Sequence, residues 1–105
     1  MGQARLNLLV EAPMKIYLAG RIKNSPDYAA KFSKAADEMR RQGYDVFNPA
    51  AANQEGRPLP KIMAYLLPQL CECDAIAMLP GFWRSGGARI EWLLARYLGL
   101  KVLYL

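Results

Sequence analysis

From Met14 to the last residue the chain alternates two hydrophobic rhythms, and this alternation restricts the fold more than any other feature. Short apolar runs of strand length at 15–20 (KIYLAG), 44–49 (YDVFNP), 74–80 (DAIAMLP) and 101–105 (KVLYL) are separated by stretches with helical spacing. The continuous apolar character of 15–20 predicts a strand covered on both faces, not one with a wet side. Strands that alternate with helices are joined by right-handed crossovers, which bring the strands parallel and lay helices on the sheet. The expected fold is therefore α/β: a flavodoxin/Rossmann-like three-layer sandwich around a mainly parallel sheet of four to five strands.

The helical stretches differ in clarity. Residues 26–43 place Tyr28, Phe32, Ala35, Ala36 and Met39 on one stripe, with Lys31, Lys34, Asp37, Glu38 and Arg41 largely off it, and Gly43 ends the helix. Residues 60–73 have helical spacing interrupted by Pro68, which predicts a kink or a split. Residues 87–99 form a helix with an expected inward stripe of Ile90, Leu93, Leu94, Tyr97 and Leu98. Residues 14–105 read as a single domain, preceded by an extension, 1–13, whose role as alternative start, added strand or subunit contact is left open by the sequence.

Composition narrows the chemistry. A length of 105 residues supports one core, and 53% hydrophobic with 22% charged residues is a globular balance. The net charge of +5 attracts anions, yet Lys and Arg are scattered without a stripe for a nucleic-acid backbone, so nucleic acid is not an expected partner. With no histidine in the chain, a Ser-His triad, a Cys-His dyad and a His-ligated metal centre are all excluded from it, and neither metal nor cofactor is expected. Cys71 and Cys73 flank Glu72 at a helix end and point in different directions, which reads as two small thiols at the core edge in a reducing cytosol. No run approaches the roughly 20 apolar residues of a membrane helix. Residues 1–13 lack a full hydrophobic region and a cleavage signal, so a cytoplasmic location is expected.

Ligands of such a sheet bind beyond the carboxyl ends of its strands, where strand order reverses. That rim comprises the loops after Gly20, Asn48 and Pro80 and the start of the last helix. There Glu91 has Gly87, Ala88, Leu94 and Ala95 at helix-neighbour spacing, none able to form an ion pair with it. An acid so placed either answers the helix dipole, worth up to about 1 kcal/mol, or faces a ligand. Ser85, Gly86 and Gly87 supply a hydroxyl and uncluttered N–H groups at a helix start, suited to a phosphate or carboxylate. Arg21 and Lys23, with Asn24 and Ser25, add cations and polar groups on the loop leaving the first strand.

These segments, MKIYLAG (14–20), ECDAIAMLPG (72–81), SGGARIEWLLARYLG (85–99) and KVLYL (101–105), together resemble the nucleoside 2-deoxyribosyltransferase-like superfamily, most closely its short phage and bacterial branch. The first strand motif and the Ser85-x-Gly87-x-x-x-Glu91 pattern are the specific parts. The resemblance implies Glu91 as the nucleophile at the anomeric carbon and Tyr17 as the residue that orients it. It also implies that Ser85 and Gly87 match the loop that holds a 5′-phosphate in relatives that hydrolyse nucleotides, and that Lys23 matches their basic residue; Gly20, Arg21 and Gly86, from the loops themselves, complete the expected phosphate- and sugar-binding rim. The reaction would be a retaining double displacement, with a glycosyl-enzyme resolved by water or by a second base. The substrate would be a small nucleoside or nucleotide, and a homodimer or larger homo-oligomer is expected.

Two positions depart from the family. Leu66 stands where members carry an aspartate that serves the leaving base, and Tyr65, Glu72 or Asp74 are the nearby substitutes; Leu66 also falls on an apolar stripe with Ile62 and Leu70. Arg21 stands where the nucleotide-hydrolysing relatives have a small hydroxyl residue, a departure expected to change or enlarge the anion that the loop binds. Phe82, Trp83 and Asn48 are rim candidates for base contact, while Trp92 reads as core or subunit contact. Three functions follow: an N-glycosidase or deoxyribosyltransferase; a non-catalytic nucleotide binder or sensor that Leu66 would mark; and an interaction protein sharing only the architecture.

Overall fold

A computed structural model describes residues 13–52 and 56–105. The extension at 1–13 therefore lies, except for Pro13, outside the described residues. The strands are β1 (Lys15–Ala19), β2 (Asp45–Phe47), β3 (Ala75–Met78) and β4 (Lys101–Tyr104). The helices are α1 (Tyr28–Arg41), α2 (Leu59–Cys71) and α3 (Gly86–Tyr97), with 3₁₀ turns at Pro49–Ala51 and Phe82–Arg84. All described strand pairs are parallel, in the order β2-β1-β3-β4.

The order reverses between β1 and β3, and the two sides of the sheet are covered accordingly. Along β1, Ile16 and Leu18 pack with Phe32, Ala36 and Met39 of α1, whereas Tyr17 and Ala19 pack with Leu70 of α2 and Ala95 of α3. This is the period-two alternation of a strand buried on both faces, and it gives the expected three layers around a four-stranded sheet. The α1 stripe is also as expected: Phe32, Ala36 and Met39 are buried and Tyr28 and Ala35 pack against them.

One helix excludes one of its two expected alternatives, and another differs from expectation. α2 is not split at Pro68; Pro68 and Ala64 are both exposed, so the Ala64 carbonyl that loses its intrahelical donor is on the side of the solvent. α3 is turned around. Its buried residues are Ala88, Glu91 and Ala95, while Ile90, Leu93, Tyr97 and Leu98 from the expected inward stripe are 50%, 57%, 87% and 45% exposed. Small Ala88 and Ala95 let α3 approach the sheet closely, and that approach is what carries Glu91 inward. Leu94 and Trp92 fill the flanks of this contact. Trp92 thus belongs to the core edge, where it donates a hydrogen bond to the Tyr104 hydroxyl at 3.0 Å and touches Phe82.

Candidate active site

Tyr17 is fully buried in the middle of β1, on the face covered by α2 and α3. Its phenol stacks on Phe47 of β2, with ring centroids 5.4 Å apart, and its hydroxyl donates a hydrogen bond to Glu91 Oε2. Residues far apart in sequence are brought together here because β1 lies beside β3 and α3 crosses over both. Glu91 is the only charged side chain buried among the described residues, at 6% exposure. Burial pushes its carboxyl up to about 7 from an ordinary 4.5, and the bond from Tyr17 acts in the opposite direction. Burial, and next the charge of Glu91, hold the Tyr17 phenol well above its ordinary 10.0, so Tyr17 is a donor and not a base.

Above this pair opens a cavity of about 900 Å³ with Glu91 among its lining residues. No described residue donates to Glu91 Oε1, and no buried side-chain oxygen or nitrogen lacks a partner, so Oε1 is open to the cavity. A carboxyl that ionises near neutral pH, with one oxygen held and the other free, has the chemistry of a nucleophile or general base.

The rim is cationic and rich in N–H groups. Ser85 caps α3 by accepting from the Ala88 N–H at 3.1 Å, which leaves its own hydroxyl hydrogen available to a ligand. The N–H groups of Gly86 and Gly87 precede the first intrahelical bond, from Arg89 N–H to the Ser85 carbonyl at 3.0 Å, and are free donors. A side chain on Gly86 would meet no protein atom within 4 Å. Packing therefore does not explain glycine there, although glycine costs a helix about 1 kcal/mol relative to alanine; its bare Cα leaves the helix start uncovered. Gly20 has a packing reason: a Cβ would lie 3.0 Å from Leu79 Cβ and 3.2 Å from Phe32 Cζ. Arg21, Lys23 and Asn24 line the cavity from the loop after β1, with Arg21 Nε donating to the Lys23 carbonyl at 3.2 Å.

Three sequence candidates are not part of this wall. Phe82 packs on Trp92 and Tyr104, Trp83 meets Phe82 edge to face, and neither lines the cavity. Asn48 accepts from the Ala50 N–H at 3.0 Å to cap a 3₁₀ turn and does not line it either. The opposite wall comes from α2: Leu59, Ile62, Met63 and buried Leu66. Sequence reasoning missed Arg84 and Tyr28, which both line the cavity. Arg84 was detectable as a cation next to the Ser-Gly-Gly helix start. Tyr28 was absorbed into the α1 stripe, on which it also packs. Glu72 and Asp74 are not among the lining residues, and Asp74 instead accepts from the Lys15 N–H at 2.9 Å where β3 begins. Both cysteines are free; Cys73 is buried, with its thiol pushed up to about 11, and Cys71 is exposed.

Residues 14–104 match the family described as a domain of unknown function (DUF4406). No curated protein matches the chain. Among solved structures, the chain is similar to one from the characterization of 2-deoxyribosyltransferase from the bacterium Bacillus psychrosaccharolyticus. The TM-score is 0.69 at 24% identity, over 86% of this chain and 70% of that one. Among the described residues no helix is long and apolar enough to cross a membrane. The match over nearly the whole chain shows that it belongs to the DUF4406 family, on a nucleoside 2-deoxyribosyltransferase-like α/β fold.

Proposed function

We propose that the protein cleaves the N-glycosidic bond of a nucleoside or (deoxy)nucleoside 5′-monophosphate by retaining double displacement. The observation that carries this reading is the hydrogen bond from buried Tyr17 to Glu91 at the floor of the cavity. Glu91 Oε1 attacks C1′ while the C1′–N bond breaks and its electron pair leaves with the base. Water, or the nitrogen of a second base, then attacks C1′ from the vacated face and returns the carboxylate. The Tyr17 hydroxyl orients Glu91 and keeps its carboxyl lower than burial alone would set it. A 5′-phosphate is taken by the N–H groups of Gly86 and Gly87 and the Ser85 hydroxyl, with Arg21, Lys23 and Arg84 in the same cavity wall to offset its charge.

The α2 wall favours a second reading. With Leu66 in place of an acid, no described side chain of α2 lining the cavity is acidic, so this helix protonates no departing base. A missing general acid typically slows such a step about 10²- to 10⁴-fold, and a nucleotide binder or sensor would need no acid. A panel of ribo- and deoxyribonucleosides with their 5′-monophosphates, analysed for free base by chromatography, separates the two. Release by the parent and not by Glu91→Ala supports the glycosidase. Thermal stabilisation by nucleotides with no release from any member supports the binder.

A further inference from the structure

Beside the main cavity lies a smaller one of about 90 Å³, between the loop after β1, the start of α1 and the turn after β3. Its polar lining is Arg21, Ser25, Lys31 and Arg84, and no acid lines it. Arg21 and Arg84 line both cavities, so the two adjoin at these residues. The annex has room for one tetrahedral anion and little more. Arg84 has no side-chain partner among the described residues, and Lys31 is held only by a surface pair with Asp27 at 3.5 Å, both side chains being about 60% exposed. Such exposed pairs are weak, so Lys31 is readily redirected. Asp27 also accepts a long bond from Ser25 Oγ at 3.5 Å but does not line the annex.

Two adjoining cavities that share two arginines fit two anionic groups joined by a short bridge. Resting on the proposed nucleotide reading, we propose that the site takes a nucleoside 5′-diphosphate or a longer phosphate chain. The first phosphoryl group sits on the α3 N-terminus. The second passes between Arg21 and Arg84 to meet Ser25 and Lys31. Arg21 and Arg84 link the two sites.

Calorimetric titration of full-length Glu91→Gln, which leaves the ligand intact, with AMP, ADP, inorganic phosphate and pyrophosphate in magnesium-free buffer tests this. The phosphate pair makes the test independent of base preference. The expected result is that ADP binds at least about tenfold more tightly than AMP, and pyrophosphate likewise relative to phosphate. Adding Lys31→Gln brings both ratios close to one, whereas Lys34→Gln, which removes the same charge outside both cavities, leaves them unchanged. Equal affinity within both pairs, no binding by any of the four, or an equal loss in Lys34→Gln overturns the proposal. Diphosphate preference without base release from any nucleotide rejects the glycosidase alone; base release without diphosphate preference rejects the annex alone.

Discussion

At the residue scale, Glu91 is costly to the fold, and this gives it a measurable signature. Its carboxyl lies near 7 when folded against an ordinary 4.5, so between these values the folded state binds more protons than the unfolded one. Stability from this group is full below about pH 4.5 and is lost as pH rises through 7, amounting to about 3 kcal/mol. Glu91→Gln, which keeps an acceptor for Tyr17, is therefore expected to be more stable than the parent at pH 8, with the gap closing toward pH 4.5 in denaturant titrations. The proposed reaction has the opposite slope, because its attacking form is the carboxylate: in a pH–rate profile kcat/KM is expected to fall tenfold per pH unit below about 7. Tyr17→Phe removes the bond that lowers the Glu91 carboxyl, so its acid limb moves to higher pH and kcat drops by about 10- to 100-fold at neutral pH.

At the element scale, the start of α3 exchanges helix stability for ligand access. Gly86→Ala meets no protein atom and is expected to raise the unfolding free energy by about 0.5–1 kcal/mol. The same methyl group stands where an anion would approach, so the affinity for a 5′-monophosphate falls by tenfold or more; a stabilised protein with undiminished affinity would remove this helix start from the site. Ser85→Ala loses the cap of Ala88 and about 1 kcal/mol. Much of this was legible in the sequence, because an unpaired acid and a Ser-Gly-Gly start are local features. The orientation of α3 was not. Its large apolar residues defined the stripe by size, while Ala88 and Ala95, which make the contact with the sheet, carry almost no periodic signal. Phe82 and Trp83 were misplaced for a related reason: aromatic residues in a rim loop read as ligand contacts until β4 and Trp92 are seen beneath Phe82.

At the scale of the molecule, strand order β2-β1-β3-β4 puts the reversal between β1 and β3, and the cavity opens where their loops part. That much followed from the alternation of elements; the annex, lined by Ser25, Lys31 and Arg84 from three separate segments, did not, since only folding brings them together. The outward stripe of α3, Ile90, Leu93 and Tyr97, is a contiguous apolar surface of the kind that second copies cover. The proposed homo-oligomer is expected to appear in light scattering as a dimer or larger and to dissociate in Leu93→Lys; a monomeric parent would contradict it. A carboxylate that bonds covalently to C1′ leaves its mark on the anomeric configuration of the first product, which is the measurement to make. With methanol in the buffer as acceptor, the methyl glycoside is configurationally fixed and nuclear magnetic resonance reads it without mutarotation. Retention, together with loss of the product in Glu91→Gln, is the expected result. Inversion, or an undiminished rate in Glu91→Gln, would contradict it.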